Sequence, residues 1–91
     1  MSYQPKTLSA GMGATLVSAA TIVPTNMVHH VSGIVAVATL TNPTGIQPGE
    51  MLILIFDGLA SILASGNIAV AVTIAAVSTK VILVWDGTKW F

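Results

Sequence analysis

The chain has 91 residues, of which 54% are hydrophobic and only 7% are charged, and its formal net charge is zero. This length predicts one domain, and the lack of net charge excludes an electrostatic surface for nucleic acid or for an anionic membrane. Because there is no cysteine, disulfides and thiolate metal sites are also excluded.

Residues 1–27 are rich in Ser, Thr, Ala, Gly and Pro and are weakly patterned. This composition predicts an extended N-terminal arm, with Pro5 and Pro24 as breaks. The first residues have neither the charged nor the apolar region of a signal peptide. Residues 28–91 are predicted to form one β-structured domain.

Four short apolar segments in that domain predict β-strands, because they are rich in aliphatic and β-branched residues and are bounded by turn signals. The predicted strands are residues 34–41, 51–56, 68–77 and 81–85. Residues 42–50 contain two Pro and two Gly and predict a loop. We therefore expect an all-β fold of short antiparallel strands and hairpins.

Two similar stretches, LILIFDGLA at residues 52–60 and VILVWDGTK at residues 81–89, each end an aliphatic run with an aromatic residue and Asp-Gly. Asp-Gly suits a two-residue hairpin turn, where both central residues adopt positive φ. We therefore predict turns at Asp57-Gly58 and Asp86-Gly87, and a further turn at Gly66-Asn67. The repetition predicts a hairpin that occurs twice.

An alternative is that Asp57 and Asp86 act as a catalytic pair of carboxylates. Such a pair needs opposed environments in a cleft. No His, Ser or Lys lies at motif spacing, and no phosphate loop, nucleotide fingerprint or zinc spacing is present. We expect no enzyme activity and no cofactor.

A second alternative is a transmembrane helix at residues 59–79, a stretch that carries no charge and is long enough to span a bilayer. Gly66-Asn67 interrupts it, and no Lys/Arg cluster flanks it. Large and small residues alternate over 68–74, which is the period of a strand. The pattern favours a strand over a membrane span.

Several predicted strands are apolar on both faces, so a second surface must cover the face that the core leaves exposed. With so few charges on the chain, another copy of the same chain is the expected partner.

His29 and His30 are adjacent, so a strand points them to opposite faces and they cannot easily share one metal ion. One His from each chain of a trimer could still meet on the threefold axis and bind an ion. The aromatic residues Phe56, Trp85, Trp90 and Phe91 lie at strand ends, where a sugar-stacking platform is an alternative. We expect both groups to be core or interface anchors.

Residues 28–91 resemble a module of bacteriophage structural proteins. The resemblance is carried by HHVSG at 29–33, by residues 52–58, by Gly66-Asn67-Ile68 and by DGTKW at 86–90. Similar modules occur in tail-spike and tail-fibre ends and in small head-decoration or head-fibre proteins. The resemblance implies an intertwined or β-helix-like homotrimer.

In this sequence the module is accompanied only by a short N-terminal arm and not by the long shaft of a tail spike, which favours a capsid decoration (cement) protein. Its partners would be two further copies of itself and the major capsid protein, with no nucleic acid and no membrane. The protein would be made in the host cytoplasm and bind the capsid surface of the virion. Its arm would contact the capsid through Tyr3, Gln4, Pro5 and Lys6. A receptor-binding tail-fibre or head-fibre tip and a small membrane protein are the alternatives.

Overall fold

The computed structural model of the chain describes residues 8–91, and in this range it contains β-strands and no helix. The all-β prediction is therefore confirmed. The strands are β1 (Ser9–Met12), β2 (Leu16–Val17), β3 (Thr21–Ile22), β4 (Asn26–Ser32), β5 (Thr39–Leu40), β6 (Met51–Phe56) and β7 (Thr79–Val84). No helix in the described range is long and apolar enough to cross a membrane.

Five strands form the main sheet, in the order β1-β4-β6-β7, with β2 also paired to β4. β3 and β5 form a second, two-stranded sheet. Four of the five ladders are parallel, and only β6 with β7 is antiparallel. The expectation of antiparallel hairpins is therefore wrong for most of the fold. After β2 and after β4 the chain leaves the main sheet and returns in the same direction, as parallel pairing requires.

The predicted strands match the observed ones unevenly. The prediction for residues 51–56 is confirmed by β6, and residues 81–84 belong to β7. In contrast, only Thr39–Leu40 of the predicted segment 34–41 is a strand, with one further bridge at Val37. Residues 68–77 form two isolated bridges, at Ile68 and Val72, and no regular strand.

The two similar stretches pair with each other, because β6 and β7 are antiparallel neighbours from Met51 opposite Val84 to Phe56 opposite Thr79. Their Asp-Gly pairs consequently lie at opposite ends of the main sheet. The prediction of one hairpin that occurs twice is wrong. Instead, an aromatic residue followed by Asp-Gly marks the ends of two strands that run in opposite directions.

The described part of the predicted arm is integrated into the sheets. β1 and β2 pair with β4, and β3 pairs with β5. β4 itself begins at Asn26, before the end of the predicted arm. Tyr3, Gln4, Pro5 and Lys6 lie outside the described residues.

The hydrophobic core lies between the two sheets and is closed by the C-terminal end of the chain. The inward positions of β6 and β7 alternate with outward ones and are buried, as the period of a strand dictates. The largest fully buried side chains include Trp90, Phe56, Leu40, Leu52, Leu54, Ile62, Ile68 and Leu83.

Three small residues stack where the chain turns from the main sheet towards the second sheet. A Cβ atom on Gly33 would lie 2.6 Å from the hydroxyl oxygen of Ser18, and a Cβ atom on Gly58 would collide with the carbonyl oxygen of Gly33. We refer to Ser18, Gly33 and Gly58 as the corner stack. Ser18 is buried, and its hydroxyl accepts a hydrogen bond from the N–H of Val35 at 3.0 Å. The corner stack lets successive passes of the chain lie in direct contact.

Asn67 completes the second sheet with its side chain. Its carboxamide oxygen accepts a hydrogen bond from the N–H of Leu40 at 3.0 Å, and its amide group donates to the carbonyl oxygen of Leu40 at 2.6 Å. The side chain thus takes the place that a neighbouring strand would occupy beside β5.

Asn67→Asp is expected to lower the free energy of unfolding by about 2–3 kcal/mol, because a carboxylate cannot donate to the Leu40 carbonyl and repels it. Asn42→Asp is the matched control. Asn42 only accepts, from the indole N–H of Trp90 at 2.8 Å, and a carboxylate still accepts. Urea denaturation of both variants measures the difference. Equal losses would mean that the Asn67–Leu40 pairing contributes nothing specific.

Candidate functional site

The surface of interest is the side of the main sheet that faces away from the core, which we call the outer face. Residues opposite one another in a ladder share a face. The register therefore places Met12, Val28, Ile53 and Ile82 in one row across β1, β4, β6 and β7. Met51 and Val84 form a second row at one end. All six of these side chains are apolar.

This apolar surface remains open to solvent in the single chain. Met12 is 55% exposed and Ile82 is 52% exposed, and Met51 and Val84 are also exposed. The two more central residues, Val28 and Ile53, are half-buried. The sequence predicted strands that are apolar on both faces, and the alternation in β6 and β7 confirms this for the main sheet.

At the other end of the outer face the apolar rows give way to charged and polar side chains. His30, Ile55 and Lys80 form a row across β4, β6 and β7. Asp57 follows immediately after β6. The Nδ1–H of His30 donates a hydrogen bond to Oδ1 of Asp57 at 2.8 Å, and both side chains are substantially exposed. The sequence does not predict this pair, because the motif around Asp57 indicates only a turn.

The two histidines lie on opposite faces, as predicted from their adjacency. His29 is fully buried. Its Nε2 accepts hydrogen bonds from the N–H groups of Thr25 and Asn26, and its Nδ1 donates to the carbonyl oxygen of Ala14 at 2.7 Å. These partners fix the neutral tautomer with the proton on Nδ1. His29 therefore holds the chain around β1 and β2 against β4, and only His30 reaches the outer face.

The two Asp-Gly pairs differ in conformation. Neither Asp57 nor Asp86 has a positive φ, and Gly87 has one (102°) where Gly58 does not. The predicted type of turn, with positive φ at both residues, is therefore wrong at both sites. The chain bends at Asp57-Gly58 as it leaves β6. Gly58 lies directly against Gly33 at this bend.

Asp86-Gly87 does stand in a tight reversal. The N–H of Asp86 donates to the carbonyl oxygen of Lys89, and Val84 and Phe91 exchange two backbone hydrogen bonds. The carboxylate of Asp86 accepts hydrogen bonds from the N–H groups of Lys89 and Thr88, and these bonds hold the pKa of Asp86 below its ordinary value. Asp86 therefore shapes the loop as an ionised side chain.

The remaining predicted positions are structural. Gly66 and Asn67 form a turn, and Gly66 lies against Thr39. Phe56, Trp85 and Trp90 are buried, and only Phe91 is exposed among the aromatic residues of the described range. The alternative of a sugar-stacking platform built from Trp85 and Trp90 is therefore wrong. Their rings instead pack on each other, with centroids 5.4 Å apart.

In the part of the chain that the structure describes, no three His, Asp or Glu side chains lie close enough together to hold a metal ion. The outer face, with the polar group formed by His30, Asp57 and Lys80 at one end, remains the candidate functional site. Comparisons with protein-family models, with curated proteins and with solved structures found no match to this chain.

Proposed function

We propose that the chain is a structural subunit of a bacteriophage virion: a homotrimeric decoration protein that binds the head and stabilises its shell. The observation that carries the proposal is the apolar outer face. An exposed sheet face with several large aliphatic side chains is typical of a surface that another protein covers. Burying the remaining half of each such side chain contributes roughly 1 kcal/mol.

The order of the strands supports the β-helix-like architecture that we propose for each subunit. Leu16, Val31 and Phe56 lie side by side in consecutive parallel ladders. The same order recurs on the other side of the core, because Thr21 pairs with Thr39 in the second sheet and Val37 forms an isolated bridge with Ile62, also in parallel. The chain thus winds through both sheets in one direction before β7 turns back.

The first experiment is the native mass of the purified chain, measured by light scattering during size-exclusion chromatography in buffer without detergent. The expected result is a β-rich species of about three times the chain mass of 9.3 kDa. A monomeric β-rich species would contradict self-association.

The second experiment locates the protein in the virion. Heads and tails of the phage that encodes this chain are separated on a density gradient, and peptides from this chain are measured by mass spectrometry. The expected location is the head. Heads that lack the protein should lose their DNA at a lower temperature and should regain heat resistance when the purified protein is added. Peptides confined to the tail fraction would contradict the decoration role.

Ile82→Lys is expected to convert the oligomer into single chains, because it places a charge in the central row of the outer face. Val77→Lys is the matched control, since Val77 is similarly exposed but precedes β7. The control should keep the mass of the oligomer. Light scattering on both variants, with far-UV circular dichroism to confirm folding, decides the result. Equal masses for the two variants would assign self-association to another surface.

A further inference from the structure

We propose that Lys80 of one copy forms an ion pair with Asp57 of the next copy, and that this pair favours the closed ring in which equivalent rows of neighbouring outer faces lie side by side. The inference rests on the self-association proposed above and adds the residues that set its register. It makes Asp57 and Lys80 specificity-determining residues of the contact.

The charges on the outer face are unevenly placed. Asp57 and Lys80 both lie at the end where β6 finishes and β7 begins. Lys80 is exposed and has no ion-pair partner in the range that the structure describes. Asp57 is 45% exposed and is held at 2.8 Å by His30, which orients its carboxylate on the surface. The face therefore offers one oriented anion and one unpaired cation.

Symmetry brings the two charges of different copies together. In a ring of copies related by rotation about an axis parallel to the strands, each row of residues keeps its position along that axis, which we call its height. The β7 side of one outer face then lies against the β4 side of the next outer face. The row of His30, Ile55 and Lys80 then meets the same row of the next copy in reverse order. Lys80 consequently approaches the His30–Asp57 pair of its neighbour.

The ion pair between Lys80 and Asp57 would favour one alignment of neighbouring outer faces over others. The apolar rows resemble one another, so an open helical assembly with a shift of two residues along the strands at each contact would still place aliphatic side chains together. A shift of Lys80 towards the row of Val28, Ile53 and Ile82 would leave it among apolar side chains without a partner, which is costly. Charge complementarity of this kind contributes more to register than to affinity.

The geometry at this height leaves room for the approach. On the far side of His30, the connection between β1 and β2 consists of Gly13, Ala14 and Thr15, whose side chains are small. A lysine from a neighbouring copy can therefore approach at the height of His30. The next residue along this margin is Val17 of β2, which pairs with Ser32 and is exposed.

The test uses charge reversal in the full chain. Asp57→Lys and Lys80→Asp should each raise the concentration of half-dissociation about tenfold or more, because each places like charges together. An equimolar mixture of the two variants should associate more tightly than either variant alone, since two of the three contacts in a mixed trimer join opposite charges. A tagged Asp57→Lys chain should retain the untagged Lys80→Asp chain on a resin, and neither variant should retain itself.

Lys89→Asp is the matched control, because it makes the same charge change in the loop after β7 and should leave dissociation unchanged. Circular dichroism confirms that each variant is folded, and Asp57→Asn replaces Asp57→Lys if the latter is not. If wild-type chains associate and the single variants dissociate like wild type, this inference is wrong and self-association stands. The double variant Asp57→Lys/Lys80→Asp should associate like wild type. If it does and the mixture associates no more tightly than the single variants, the pair forms within one chain and the inference is also overturned. A monomeric wild type overturns both proposals.

Discussion

Gly58→Ala is expected to lower the free energy of unfolding by about 3 kcal/mol or more, a large part of the stability of a small domain. The added methyl group would collide with the carbonyl oxygen of Gly33, and backbone atoms cannot move aside as the end of a side chain can. The corner stack must open, which separates β4 from β6 at their ends. Thermal or urea unfolding followed by far-UV circular dichroism measures the loss.

Gly11→Ala provides the control for this substitution. Gly11 has a φ of 85°, and no atom lies within 4 Å of the position that its Cβ would occupy. Its replacement carries only the conformational cost of positive φ, about 1–2 kcal/mol. If Gly58→Ala were no more damaging than Gly11→Ala, the corner stack would not be a tight contact.

His29→Leu is expected to cost about 3 kcal/mol, although leucine matches the apolar surroundings. The substitution leaves the N–H groups of Thr25 and Asn26 and the carbonyl oxygen of Ala14 without their partners. Each polar group that loses its partner away from water costs about 1 kcal/mol or more. The midpoint of urea denaturation measures the effect.

His30→Leu is the matched control for His29→Leu, because it makes the same change of residue type at an exposed position. His30→Leu removes one hydrogen bond on an exposed surface, so the free energy of unfolding should change by less than about 1 kcal/mol. It also enlarges the apolar outer face and should not weaken self-association. Similar losses at both positions would show that the buried hydrogen bonds of His29 are not the cause.

Local sequence signals were sufficient for some elements. The aliphatic run of residues 51–56, bounded by turn signals, predicts β6 with its observed bounds, and the adjacency of His29 and His30 predicts their opposite faces. Both results depend only on local composition and on the period of a strand. The long apolar segment 68–77, in which residues 68–74 alternate in size, forms isolated bridges, because pairing also requires neighbours in register.

Parallel pairing was not predicted, because it joins segments that are far apart in the chain. One signal was present: VSGI at residues 31–34 and FDGL at 56–59 share an aliphatic or aromatic residue, a small polar residue, Gly and an aliphatic residue. Val31 pairs with Phe56, and Gly33 contacts Gly58. A comparison at this spacing would have placed Gly58 at a corner instead of in a hairpin turn.

The His30–Asp57 pair was missed for a related reason. The parallel register of β4 and β6 brings the two residues together, and no local motif contains both. Residues that form a functional group on a sheet face can therefore be identified only when the register of the strands is known.

The packing of Trp85 on Trp90 has an optical consequence. These are the only two tryptophans of the chain, and their rings are tilted by 53° to each other. Fluorescence excited at the red edge of the absorption band therefore reports almost entirely on the loop that joins them. Far-UV signals report on all the strands. Coincident unfolding curves from both signals would show that the loop and the corner stack melt as one cooperative unit.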